Sequence, residues 1–198
     1  TREKFEQRRL AVHEAGHAVM HLILGIPFEK VSLHGEKMSG YVIRDGQKVS
    51  ATAITGGGVF TDPTRIDEID RATLNGILHM REALISMAGP VAEEMLIGKI
   101  DDQLRCGSMI DMGAIVMCCR AALNQSSRQE TWSSIQEMEA KLVDAFAIGA
   151  KNLLRGHLKS LKAVTEALLM KGTLTYSEAS ETFKIAQADD LTNRNERK

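Results

Sequence analysis

Aromatic side chains make up only 4% of the 198 residues, with one Trp, two Tyr and five Phe. A core in this chain must therefore be built from Leu, Ile, Val, Ala and the ten Met, a mixture that favours helices over sheets. Cysteine is scarce too: Cys106, Cys118 and Cys119 form an odd set with no C-x-x-C, and neighbouring Cys118 and Cys119 are badly placed to bridge each other. A disulfide scaffold is excluded, a reducing cytoplasmic setting is expected, and the three thiols read as small buried hydrophobes. No apolar run approaches the roughly 18 residues that span a bilayer. The longest candidate, Leu22 to Ile26, is closed by His21 and Pro27. There is no excess of either charge, since 25 Lys plus Arg face 26 Asp plus Glu for a net charge of −1. No global field draws the chain to nucleic acid or to an anionic membrane.

What remains is the balance of an ordinary globular protein, 43% hydrophobic and 26% charged, with 16 Gly and only 3 Pro. One domain over 1–198 is expected, with a first portion to 126, a helical portion over 127–188 and a polar tail over 189–198. Apolar residues recur at helical spacing over 3–24, where Gly25 and Pro27 stop the run. Val31-Ser32-Leu33-His34 and Gly40-Tyr41-Val42-Ile43 read as a hairpin or two neighbouring strands. The Gly, Ser and Thr content of 45–63 predicts a mobile surface loop. Helices follow over 71–88 and 90–97, broken at Gly89-Pro90, and again over 111–124. Ser127 with Glu130 forms a capping box before a long amphipathic stretch to 170, interrupted near Gly149 or Gly156. Thr175 with Glu178 caps a last helix to about 188. The fold class is α+β and mostly helical.

The chemistry lies in the first helix, at His13-Glu14-Ala15-Gly16-His17. Histidines four residues apart leave one helical face and can grip one metal ion, while Glu14 stands beside the open coordination position as a general base. Such a metal makes hydroxide available near neutral pH. A third protein ligand must come from elsewhere. His21 lies on the same stripe, but eight residues of helix separate it from His13 by roughly 12 Å, so it reads as a core or supporting residue. A metzincin is excluded because Ile23 stands where that class needs a His. The remaining candidates are the carboxylates Glu93, Glu94, Asp101, Asp102 and Asp111, among which chemistry alone does not choose. His34, His79 and His157 show no ligand-like spacing.

Ala11 to Val19, followed by Lys30-Val31-Ser32-Leu33 and Gly40-Tyr41-Val42, resembles the start of the peptidase domain of FtsH-family zinc proteases. Met87 to Gly98 is similar to that family's G-x-x-A-E-E helix, and Gly107-Ser108-Met109-Ile110-Asp111 to its G-A-x-x-D element. Leu168 to Leu174 resembles its closing L-L-x-K-x-T-L. The resemblance implies a zinc ion held by His13, His17 and Asp111, with Glu14 as general base in peptide hydrolysis. It also implies that Glu93 or Glu94 accepts the second N–H of a ligand imidazole. The strand at 40–43 resembles the family's edge strand, a place for an extended peptide to add.

The chain departs from the family in having no G-x-x-x-x-G-K-[ST], because Gly56-Gly57-Gly58 runs on into Val59-Phe60. The expected activity is that of a zinc endopeptidase acting on unfolded or flexible polypeptide, with a hexamer implied by the resemblance. A regulatory module that keeps the fold and binds one partner is the alternative. The chain starts at Thr1 without a signal-peptide pattern, which leaves an upstream ATPase module or membrane anchor open.

Overall fold

A computed structural model describes residues 2–34, 37–44, 47–54, 58–60, 71–98, 111, 113–116, 118–119 and 132–195. The fold is α+β and mostly helical. In chain order its elements are α1 (Arg2–Leu24), β1 (Lys30–Ser32), β2 (Lys37–Arg44), β3 (Gln47–Ile54), β4 (Gly58–Phe60), α2 (Arg71–Leu96), α3 (Trp132–Gly156), α4 (Leu158–Lys171), β5 (Thr173–Thr175) and α5 (Tyr176–Asn195). Asp111, 113–116 and 118–119 are also helical.

The first helix is the axis of the structure. It packs against α2, α3, α4 and α5, and β1 and β4 also lie beside it. Eleven consecutive residues, from Ala11 to His21, are buried, so over three turns this helix has no solvent face. Such all-round burial needs small side chains where neighbours come close. Ala11, Ala15 and Ala18 supply them, with Ala88 and Ala92 on α2. Gly16 is a point of close approach of the two backbones: a Cβ there would stand 2.5 Å from the Ala88 carbonyl oxygen and 2.7 Å from Ala92 Cβ. Leu154, Leu161, Val164 and Leu168 complete the same apolar cluster from α3 and α4. Cys118 and Cys119 are buried, and Cys106 lies outside the described residues. Burial and the neighbouring Glu82 push the Cys118 thiol up to about 11, which suits a packing residue.

Four expectations are corrected. The helix predicted to break at Gly89-Pro90 runs through as α2 with Pro90 inside it. Pro90 cannot donate to the Ser86 carbonyl, but packing against α1 holds the remainder of the helix together. Residues 45–63 are not one loop, since 47–54 pairs antiparallel with 37–44 and 58–60 forms β4. Arg44 opposes Gln47, leaving Asp45-Gly46 between two eight-residue strands, a dipeptide that signals a two-residue hairpin connection. The strand at 31–34 does not neighbour the one at 40–43. Instead β1 is the centre of a three-stranded antiparallel sheet, with Val31 opposite Val59 on one side and Leu174 on the other. The polar tail expected from 189 is helical to Asn195.

Other expectations agree with the structure. The long amphipathic stretch is interrupted at Gly156-His157, and Thr175 and Glu178 form the reciprocal capping box, with Thr175 N donating to Glu178 Oε2 at 2.9 Å. The capping box read at Ser127 and Glu130 falls outside the described residues.

Gly16→Ala is expected to lose about 1–3 kcal/mol of stability, because the added methyl meets backbone on α2 that cannot rotate away. Urea unfolding of the two proteins measures the difference, and equal midpoints would mean that α1 and α2 are further apart than described.

Candidate metal centre

His13 and His17 leave α1 toward α2, where each finds an acceptor for Nδ1. His13 Nδ1 lies 2.5 Å from Glu93 Oε1, and His17 Nδ1 lies 2.7 Å from the Ile85 carbonyl oxygen. A carbonyl only accepts, so His17 carries its proton on Nδ1; the carboxylate sets the same tautomer on His13. In the neutral rings both Nε2 atoms therefore present lone pairs. They stand 3.0 Å apart, and Asp111 Oδ2 lies 3.0 Å from His13 Nε2 and 3.6 Å from His17 Nε2. The rings meet nearly edge to face, with centroids 4.7 Å apart and planes at 78°.

With both rings neutral, three acceptors converge with no donor between them, an arrangement that calls for a cation among them, either a metal ion or a proton on His13 Nε2. Zinc–nitrogen bonds of about 2.05 Å in a tetrahedral site place neighbouring ligand atoms about 3.3 Å apart. The observed triangle of 3.0, 3.0 and 3.6 Å fits that edge length. Among the described residues, His13, His17 and Asp111 form the only group of three or more potential ligands close enough to share one ion.

Electrostatics point the same way. Burial by itself lowers the basicity of His13, but the carboxylates of Asp111 and Glu93 outweigh it and raise its pKa to about 9. Burial by itself raises the Asp111 carboxyl, but hydrogen bonding to His13 and His17 holds it well below the usual carboxylate range. Glu14 is buried next to His13 in sequence. Burial pushes its carboxyl up, His17 and His13 oppose this, and Asp111 and Glu93 reinforce it.

Glu93 and Glu94 part company. Glu93 turns inward to His13, while Glu94 pairs with Lys151 Nζ at 2.9 Å in exposed surroundings. His21 is buried against Phe28, with Nδ1 3.3 Å from the Ile26 carbonyl, and burial lowers its pKa to about 4. It supports the core and is no member of the ligand group. His34 is exposed and the His157 ring stacks on Phe183. Asp101, Asp102 and the side chain of His79 lie outside the described residues. Residues 40–43 belong to the β2–β3 ribbon, whereas the strand beside α1 at the rim of the sheet is β4.

Sequence reading missed three contributors. The Ile85 carbonyl has no side-chain signature. Arg9, whose Nη1 is 3.3 Å from Glu93 Oε2, was legible only as a cation one turn before His13. Gly89 is required because a Cβ there would stand 2.4 Å from His17 Nε2 and 2.8 Å from His13 Nε2.

A mostly helical α+β fold carrying H-E-x-x-H and a convergent Asp is an arrangement suited to a metallopeptidase. The chain is 31% identical over 201 aligned positions to the ATP-dependent zinc metalloprotease FtsH of Thermotoga maritima, an alignment covering 87% of this chain. It spans about 30% of that protein's length. No family model matches the chain. The similarity indicates a relationship to metalloproteases.

Zinc binding is expected to depend on pH with a definite sign. In the metal-free fold, His13 with its pKa of about 9 holds a second proton, which stabilises that fold most below about pH 6.5 and is lost as pH rises through about 9. Zinc must displace this proton, so its apparent affinity should rise roughly tenfold per pH unit between about 6.5 and 9 and level off above. Competition titration against a chelator at several pH values reads the slope, and a flat profile would show that no such proton is held.

Proposed function

We propose that this chain is a zinc-dependent endopeptidase, with His13, His17 and Asp111 as the ligands and Glu14 as the general base. The observation that carries the reading is the meeting of two Nε2 lone pairs and a carboxylate oxygen beside a buried glutamate. Three protein ligands rather than four leave a coordination position for water or substrate, which is the pattern of a catalytic rather than a structural site. Zinc held there supplies Lewis-acid polarisation of a peptide carbonyl and lowers the pKa of water.

The chain's own residues do the rest. Glu14, with its carboxyl raised by burial toward the working pH, accepts the proton of the attacking water and returns it to the departing amine. Glu93 and the Ile85 carbonyl hold the two imidazoles in the tautomer that leaves Nε2 free. The side of β4 away from β1 has no strand paired to it among the described residues. An extended substrate segment adding there would lie next to α1, with backbone hydrogen bonds giving affinity without demanding a particular sequence. The substrate class is accordingly unfolded or flexible polypeptide. Assembly into a ring, as the FtsH resemblance implies, belongs to the same reading.

Glu14→Gln is expected to keep zinc and fold while cleavage of casein falls by several orders of magnitude, since size is retained and basicity lost. Equal rates would remove Glu14 from the mechanism. Asp111→Ala is expected to weaken zinc binding by more than roughly 100-fold, beyond what loss of a hydrogen-bond partner causes, and Glu94→Ala to leave it unchanged. Equilibrium titration separates the variants. An Asp111 variant that binds like the parent would disqualify it as the third ligand.

A further inference from the structure

Arg9 precedes His13 by one helical turn, on the stripe of α1 that also carries Glu6 and His17. Its side chain is only 17% exposed. Nε donates to Glu6 Oε2 at 3.0 Å and Nη1 to Glu93 Oε2 at 3.3 Å. The other oxygen of Glu93 accepts from His13 Nδ1. A continuous chain of charge-assisted hydrogen bonds therefore runs from Glu6 through Arg9 and Glu93 to the imidazole that faces His17 and Asp111.

Two physical consequences follow from this placement. A carboxylate held at one oxygen can still turn about its Cγ–Cδ bond, whereas one held at both oxygens has a fixed plane, and the ring it supports is fixed with it. The second consequence concerns charge. Glu14, Glu93 and Asp111 bring three carboxylates to a shielded site, a divalent ion would offset two charges, and Arg9, shared with the more exposed Glu6, is the cation in contact with Glu93. Without it, Glu93 would draw the Nδ1 proton of His13 more strongly or turn toward solvent.

We propose that Arg9 is a positioning residue of the metal centre, fixing Glu93 and, through Glu93, the orientation and tautomer of His13. The proposal rests on the zinc reading above and extends it to a residue that touches neither metal nor substrate. Arg9 stands on the Nδ1 side of His13, opposite the ligand atom, and is joined to the site through Glu93.

The test is a zinc titration against a chromophoric chelator on the whole chain and on Arg9→Gln, Arg9→Lys, Glu93→Gln and the double variant Arg9→Gln/Glu93→Gln. The visible spectra of the cobalt-loaded forms give a second readout. Arg9→Gln should weaken zinc about tenfold, within the range known for partners of ligand imidazoles, and Arg9→Lys should recover most of the loss. The double variant should bind no more weakly than Glu93→Gln alone, because the two residues act in series. Cobalt-loaded Arg9→Gln should show the spectral change of Glu93→Gln. Parent-like zinc affinity in Arg9→Gln, or losses that add in the double variant, would overturn the proposal. If Arg9→Gln does not fold, Glu6→Gln replaces it: a smaller loss that disappears in the Glu93→Gln background supports the relay, and no loss opposes it. A parent chain that takes up no zinc would instead bring down the metal reading itself.

Discussion

Two imidazole lone pairs and a carboxylate oxygen aimed at one point constitute the constraint on which the rest of this structure depends. With both rings neutral nothing among the three atoms donates, so the arrangement calls for a metal ion or, in its place, a proton on His13 Nε2. It persists because each imidazole is held from behind, one by Glu93 and one by the Ile85 carbonyl, and both of these belong to α2. The path of α2 is thereby dictated to within a hydrogen-bond length at two places. Gly89 lies where the helix passes the imidazoles, and it is there that even a methyl group would strike both rings.

The same demand shapes the packing. To bring Ile85 and Glu93 within reach of α1, the two helices must approach at Gly16, Ala88 and Ala92, so the small residues inside and opposite H-E-x-x-H serve the fold and the site at once. That coupling explains why α1 is buried all round over 11–21, a pattern quite unlike the amphipathic surface helix its histidines alone would permit. The titratable groups of the site are consequently shielded from water. Burial moves Glu14 upward, and the influence of the carboxylates and imidazoles on one another moves His13 upward and Asp111 downward.

Local features of the site were legible in the sequence because they are local. Two histidines four apart share a helical face by geometry, and Glu14 stands beside them for the same reason. The position of Asp111, 94 residues beyond His17, is a fact of tertiary structure, and only family resemblance singled it out among five carboxylates. The choice between Glu93 and Glu94 turned on which side of α2 faces inward, which the periodicity of that helix does not specify when two glutamates are adjacent. In the fold, the helices were clear from their repeating apolar positions. The ribbon over 37–54 was half missed because the Ser, Thr and Ala of β3 resemble loop composition, although Asp45-Gly46 carried the hairpin signal. Pro90 misled for a different reason: a proline lowers the local stability of a helix, but contacts made elsewhere decided whether the helix continued.

The central strand of the three-stranded sheet has an implication for the order in which the molecule matures. β1 is Lys30–Ser32, yet one of its two neighbours is the much later Thr173–Thr175, and Leu33 N–H is satisfied by the Gly172 carbonyl. On a ribosome, that flank of β1 stays bare until residues 173–175 have emerged. The α4 helix that packs on the first helix emerges only just before them. A growing polypeptide can present its paired histidines long before the strand next to them is braced, so the enzyme proposed here would gain competence only after residues 158–175 have been made.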